Sequence, residues 1–545
     1  MGELLQKRPI FVRDATGLVR QLGFTDSLII SLGCINILGG FVLTVLSAPF
    51  FFPGANVLLV FMLGAIPALA FVGMYSILSA AIPRSGGDYI WTGRILGPRV
   101  ATVMAILFLF AQIIAFPALN AWGIIDYALA QGFLALGLTT ANPGLVSLAT
   151  TIIQPLNGFI LSVLILVFIT IVGVLSINVY RKVNRFSFIV YAVMLAMFLG
   201  ALLSVSPSAF QASVDSALTS YHVTYSAVVS SVHTNPQFTT FSLYNTVLAF
   251  PLLGFLTYSG FNFSTYAAGE TKQVSKSIPR ALILAVAITM VFLFLQSELT
   301  YLTMGADFVN GVSYLFNTGA LGTLPVEPTL TFFIALATNP WVGFIINLGV
   351  AMGNFLVALQ SVVMFSRIIF ALSFDGVIPH AFANVSDRFH SPYYAVLTVG
   401  ILSILTEYFY WYGPGLLTGY LNSAIAVEVA YLIPGIAAFL LPFVKRDLYE
   451  RLVKPLPGWF GKTIGGWPLI SICGLGVTII WLFGIYTEVI PVMSYDYLGS
   501  SIGFAVGATI APIIAALILF EGARAYRKKK DGIDIVMSFK EIPPE

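Results

Sequence analysis

Twelve stretches of this chain are long and apolar enough to cross a bilayer, and the basic residues between them fall on one side only. A transmembrane helix needs about 20 apolar residues to cross roughly 30 Å of hydrocarbon. Such stretches fall near 24–50, 55–82, 99–130, 157–177, 186–204 and 241–267, then near 279–303, 341–368, 392–411, 416–442, 466–489 and 497–523. The N-terminal arm carries Lys7, Arg8, Arg13 and Arg20; the second connection Arg84, Arg94 and Arg99; the fourth Arg181, Lys182 and Arg185; the sixth Lys272, Lys276 and Arg280. The eighth carries Arg367 and Arg388, the tenth Lys445, Arg446, Arg451, Lys454 and Lys462, and the tail Arg524, Arg527, Lys528, Lys529, Lys530 and Lys540. Those positions account for all 26 basic residues. Positive charge collects on cytoplasmic connections, so the alternation predicts an even number of spans with both termini in the cytoplasm. One missed span would throw part of the set onto the other face.

Composition agrees with lipid as the main solvent: 58% of residues are hydrophobic and 9% charged, against about a quarter charged in soluble domains. The net charge of +3 is a topology signal and predicts no nucleic-acid partner. The arm is polar and basic before its first span, unlike a cleaved signal peptide, and the expected location is the plasma membrane. Cys34 and Cys473 lie in different apolar spans, the setting of buried packing thiols rather than of a disulfide framework.

Two spans share an interruption. The first contains Ile37-Leu38-Gly39-Gly40, and the sixth contains Gly254 followed by Thr257-Tyr258-Ser259-Gly260. Each has backbone able to leave helical geometry near mid-depth. Glycine also serves close helix packing, but a matched pair in two halves of opposite orientation points to a transporter binding site. The predicted organisation is an arm (1–23), a first five-helix repeat (24–204), an extracytoplasmic loop (205–240), a second, inverted repeat (241–442), a cytoplasmic connection (443–465), two further helices (466–523) and a cytoplasmic tail (524–545). The loops near 205–240 and 304–338 contain no Lys or Arg and leave room for short surface helices.

Three segments resemble the amino acid–polyamine–organocation permeases. Pro83-Arg84-Ser85-Gly86-Gly87-Asp88-Tyr89 is similar to that family's motif after the second helix. Phe255 to Arg280 is similar to its broken sixth helix and following loop, and Ser366-Arg367 with Asp375-Gly376-Val377-Ile378-Pro379 to its exit from the eighth. The resemblance runs from about residue 20 to 525. It implies an all-α polytopic membrane protein with a LeuT-like fold, two inverted five-helix repeats plus two C-terminal helices, alternating access, and an amino acid or amine as small-molecule substrate. In such permeases the substrate carboxylate meets free N–H groups of the first helix and its ammonium meets carbonyls of the sixth. Broken helices supply such groups without placing a full charge in hydrocarbon. The matching positions are Ile37, Leu38, Gly39 and Gly40, and Tyr258, Ser259, Gly260, Phe261 and Asn262, with Phe255, Tyr258 and Phe261 as an apolar lid. The first break lacks the Gly-Ser-Gly common in the family, and Asn262 stands where cation-transporting members carry a carboxylate. The first departure leaves the carboxylate cradle depending on Gly39 and Gly40 and speaks against an α-amino acid, whereas the second favours a neutral, apolar amino acid over an arginine- or polyamine-like cation.

Inside the spans, Glu428 sits at mid-depth in the tenth and Glu298 in the outer third of the seventh. An intramembrane carboxylate is costly unless it faces a cavity or partner, so both are proton-coupling candidates, with a structural hydrogen-bonded acid as the alternative. Asp126, Glu407, Asp26 and Glu521 lie near span ends and are expected to be wet. The family's lysine on helix five, which stands in for a sodium ion in proton-coupled members, matches Met194 here. A sodium ion would draw on helix-one carbonyls and on Ser361 of the eighth span, a residue that equally suits an interhelical hydrogen bond. Arg84, Asp88, Glu270 and Lys272 form the expected cytoplasmic gate, unless these charges are simply solvated. No nucleophile–base pair, metal-ligand spacing or phosphate loop is present at membrane depth, and His222, His233, His380 and His390 all fall in loops. An enzyme, a cofactor and a metal site are therefore not expected, whereas a permease-like receptor without transport fits the residues equally well. H+ or Na+ is the expected coupling ion.

Overall fold

The computed structural model describes residues 16–235, 241–321, 323–413, 425–494 and 502–543. Lys7, Arg8 and Arg13, the start of the tenth expected span and the outer end of the twelfth lie outside the described residues. Among those described, twelve helices are long and apolar enough to cross a membrane: Phe24–Phe51, Val57–Ala81, Pro98–Thr139, Pro155–Val174, Ile177–Ser204, Leu243–Glu270, Val274–Met304, Pro340–Phe374, Tyr393–Tyr412, Ile425–Val444, Leu469–Thr487 and Val506–Asp531. Backbone polar groups have no water to turn to in hydrocarbon, and the helix satisfies them within one segment. The chain is an all-α, multi-pass membrane protein.

The eighth span is the most enclosed and the twelfth the most exposed, so the eighth forms the central post of the bundle. Gly64 and Gly254 bring the second and sixth spans into backbone contact: a Cβ on either would overlap main-chain atoms of the other span. Short helices Pro207–Leu218, Tyr225–His233, Ala306–Thr318 and Leu330–Leu336 occupy the two long loops. His233, expected in a loop, ends one of them and pairs with Asp307 at 3.1 Å.

The break in the first span lies at Asn36, one residue before the expected stretch. Asn36 takes the left-handed conformation (φ 50°, ψ 65°) and splits the span into Phe24–Ile35 and Ile37–Phe51. Asparagine tolerates that region and here supplies its own cap, accepting the Gly39 N–H on its side-chain oxygen at 3.2 Å. Ile37, Leu38, Gly39 and Gly40 thus form the first turn of the second half, and the space beside Gly39 is filled by the Asn36 amide. In the sixth span a wider turn over Phe250–Phe255 precedes Tyr258; Ser259 is extended, Gly260 has φ 96°, and a tighter helix resumes at Phe261.

The eighth span also runs further than expected, to Phe374. Arg367, assigned above to a connection, is a helix residue and 1% exposed. Asp26 and Glu407, expected to be wet, are 2% and 0% exposed. Each is held by a donor: Asp26 by Arg185 at 2.6 Å, Glu407 by the Trp411 indole at 2.8 Å.

Candidate functional site

The two breaks lie against each other at the centre of the bundle. A Cβ on Gly260 would lie 2.9 Å from the Cys34 carbonyl oxygen, so glycine answers both the positive φ and the close approach. The Ser31 hydroxyl donates to the Phe261 carbonyl at 2.7 Å. One layer toward the terminal face, Leu22 pairs in parallel with Thr271, and the Leu22 N–H donates to the Glu270 carbonyl at 2.9 Å.

Side chains already engage part of this backbone. The Leu38 N–H donates to the Tyr191 hydroxyl at 2.9 Å, and Asn36 Nδ2 donates to Asn354 Oδ1 at 2.8 Å, which ties the first break to the fifth and eighth spans. On the other side, the Thr265 hydroxyl donates to the Asn262 carbonyl at 2.7 Å. Leu38, Phe255, Tyr258, Phe261 and Asn262 are each 0% exposed, so the breaks are sealed in a closed arrangement.

Phe255 and Phe261, expected as part of an apolar lid, belong to a larger cluster of rings. Phe71 of the second span lies 5.7 Å from Phe255, 5.1 Å from Phe261 and 5.4 Å from Tyr431, edge to face in each case. Trp481 stacks on Tyr431 with ring centroids 5.4 Å apart. Edge-to-face rings at such distances are mutually attractive beyond their apolar area. Tyr258 instead turns outward and donates to the Phe61 carbonyl at 3.2 Å. Phe71, Tyr431, Trp481, Tyr191 and Asn354 were not singled out in the sequence, where each is one aromatic or amide among many in apolar spans.

The expected gate residues are partnered differently from the sequence reading. Glu270 forms a two-point ion pair with Arg367, Nε to Oε1 at 2.8 Å and Nη2 to Oε2 at 3.1 Å, rather than with Arg84 or Lys272. Arg84 reaches the tail, its Nε donating to the Pro543 carbonyl at 2.7 Å, and Lys272 is exposed. The reason is register: the longer eighth span carries Arg367 inward to meet Glu270, where both would otherwise be desolvated alone. A second buried pair joins Arg94, on the short helix Asp88–Ile95, to Asp375 at 2.8 and 2.9 Å. Asp88 faces inward with no basic residue on it in these contacts: its carboxylate accepts from the hydroxyls of Tyr75 at 2.7 Å and Tyr266 at 3.1 Å.

The coupling candidates are apart from one another. Glu428 is buried a turn before Tyr431, and a Cβ on Gly484 of the eleventh span would strike its carboxylate. Glu298 is half-buried near Tyr301 on the seventh span. Ser361 is fully buried, and its hydroxyl has no hydrogen-bond partner among the described residues. Beside it, Gln360 donates to the Ile29 carbonyl at 3.2 Å and to Asn184 Oδ1 at 2.8 Å, joining the first, fifth and eighth spans through one neutral amide.

The family model described as amino acid permease matches residues 22–518, nearly the whole chain and both breaks. The chain belongs to the amino acid permease family. This permease is 25% identical over 394 residues to a branched-chain amino acid permease of Bacillus subtilis, covering 71% of this chain and 74% of that one. It is 23% identical over 417 residues to a methylthioribose transporter of the same organism, covering 74% and 78%. It is also 23% identical over 483 residues to a thiamine transporter of Schizosaccharomyces pombe, covering 83% and 76%. All three relatives are transporters with different named cargoes, so membership identifies this permease as a transporter of a small molecule and leaves the cargo to the site.

Proposed function

We propose that this permease is a secondary transporter of neutral, apolar amino acids, working by alternating access between two inverted repeats of the LeuT-like kind. The observation that carries the reading is the pair of abutting breaks, lined by Asn262 and by the rings of Phe71, Phe261, Tyr431 and Trp481. The second lone pairs of the backbone carbonyls at Gly260 to Asn262, whose first are taken by Phe263, Ser31 and Thr265, suit an ammonium, and the rings suit an aliphatic side chain. Asn262, a neutral amide, offers a second cationic group no counter-charge. The name of the branched-chain relative agrees with that chemistry.

Proton coupling is the better supported drive. Beside Ser361, one helix-one carbonyl that could serve a sodium ion, that of Ile29, already accepts from the Gln360 amide. The distribution of basic residues supports an orientation with both termini in the cytoplasm, and the plasma membrane is the location proposed for it.

A second reading has its own support. The N–H groups of Leu38 and Gly39, which would receive a carboxylate, already donate to Tyr191 and Asn36, so an uncharged cargo without a carboxylate meets a ready-made site. Uptake of labelled L-leucine into proteoliposomes, with competition by other amino acids, putrescine, methylthioribose and thiamine, separates the readings. Saturable leucine accumulation inhibited by valine and isoleucine is expected. Binding without flux would make the protein a receptor, competition by methylthioribose alone would replace the amino-acid reading by the second one, and competition by thiamine, a thiazolium cation, would contradict both.

A further inference from the structure

We propose that Asp88 is the group that carries the coupling proton, and that it signals its state to the helix-six break through Tyr266 and Asn262. The inference rests on the transport reading above and adds to it a residue and a route.

Asp88 begins the short helix after the second span and is 1% exposed. A buried carboxylate ordinarily has a cation beside it, because an ionised group alone in low dielectric is expensive. Its neighbours offer hydroxyls instead. Tyr75 faces it from the second span and Tyr266 from the far side of the sixth-span break, and both donate to the same oxygen, Oδ2. Tyr431 of the tenth span completes the titratable set around it. The nearby cations are engaged elsewhere: Arg94, on Asp88's own helix, by Asp375, and Arg367 of the eighth span by Glu270. Two left-handed glycines, Gly86 and Gly87 (φ 96° and 47°), make the close approach, since a Cβ on Gly87 would lie 2.8 Å from the Tyr266 ring. Burial pushes the Asp88 carboxyl up to about 6, against the pull of the Tyr75 and Tyr266 hydroxyls.

The route continues from Tyr266. Its hydroxyl accepts from Asn262 Nδ2 at 3.2 Å, and the same nitrogen lies 3.4 Å from the Tyr431 hydroxyl. Asn262 lies in the first turn of the helix that resumes after the break. The route requires the proton from solvent to be carried on Oδ2, where the two hydroxyls converge, rather than on Oδ1; a carboxyl O–H there turns one tyrosine oxygen from donor to acceptor. If Tyr266 does so, its own hydrogen needs an acceptor, and Asn262 can provide one by turning its amide oxygen toward it. That rotation points the Asn262 NH2 elsewhere in the break, so the polarity offered to substrate depends on the charge of Asp88. On release the carboxyl returns the proton to water and the chain reverses. Release is to the cytoplasm, once the Arg94–Asp375 and Glu270–Arg367 layer parts.

The test uses the full permease in proteoliposomes with L-leucine. In Asp88→Asn, accumulation driven by an inward proton gradient should fall to unity while leucine counterflow remains measurable. Tyr266→Phe removes a donor that favours the ionised carboxylate, so the pH profile of uptake should move upward by about one unit. Gradient-driven accumulation retained in Asp88→Asn overturns the proposal, as does its loss in Glu428→Gln alone. Should Asp88→Asn fail to fold, an unshifted profile in Tyr266→Phe overturns it and an upward shift sustains it. Absence of leucine counterflow in the wild type defeats the amino-acid reading and this assignment together, whereas failure of the Asp88 arm alone leaves that reading standing.

Discussion

Replacing Glu270 by glutamine removes one charge from a pair in which both side chains are 1% exposed. The Arg367 guanidinium then keeps its bonds to the Val363 carbonyl at 3.1 Å and the Ser366 hydroxyl at 2.9 Å, and loses its counter-ion. A buried charge left without its partner is destabilising by about 3–5 kcal/mol, whereas neutralising both members with groups of similar volume is often close to neutral. Glu270→Gln should therefore lower the unfolding free energy by about 4 kcal/mol, and Arg367→Met by a similar amount for the exposed need of Glu270. The double variant should recover most of that loss. Denaturant unfolding of the four detergent-purified proteins at neutral pH makes the thermodynamic cycle. Singles that lose less than about 1 kcal/mol would contradict the burial of the pair, and a double variant equal to the sum of the singles would contradict their direct interaction. Since the pair joins the sixth-span break to the eighth span, the single variants should also admit water from the terminal face, readable as faster labelling of a cysteine introduced at Ser264.

Other outcomes follow from the same geometry. Gly260→Ala combines a left-handed φ with a Cβ 2.9 Å from the Cys34 carbonyl and should destabilise by on the order of 2 kcal/mol or more, while Gly200→Ala, with open space around its Cβ and a helical backbone, should be neutral or gain up to about 1 kcal/mol; paired thermal melts compare them. Phe539 of the tail is 4% exposed, 6.2 Å from the Tyr89 ring and under the Arg94 guanidinium at 5.0 Å, so Phe539→Ala should weaken tail docking by about 3 kcal/mol, seen as faster proteolysis after residue 531 with the spans intact. Because the folded state holds the Asp88 carboxyl at about 6, above its ordinary value, its neutral form favours folding. That contribution is fully present below about pH 4 and about 3 kcal/mol of it is lost as pH rises through about 6. Melting temperature should fall over that window, and Asp88→Asn should flatten the fall; a wild-type curve that rises there would refute the sign.

The chain by itself determined the number of spans, because lipid gives a backbone no alternative to the helix in a chain of this composition, and it predicted their alternation, because the 26 Lys and Arg residues fall on or near alternate connections. The paired interruptions were also legible, since Gly260 is a glycine for a conformational reason that any reader of the sequence can state. The first break was read one residue late: an asparagine that takes a left-handed turn and caps the following helix leaves no periodic signature, whereas the glycines after it do. Arg367 was assigned to a connection because it lies at the very end of the apolar stretch near 341–368 and carries a charge. Only the tertiary structure supplied its partner Glu270, 97 residues away, and with it the physical reason a guanidinium can continue an apolar helix. The same holds for Asp88. Its motif marked a loop turn, but the hydroxyls that make it a lone buried carboxylate come from the second and sixth spans, and such long-range convergence is set by packing rather than by any local pattern along the chain.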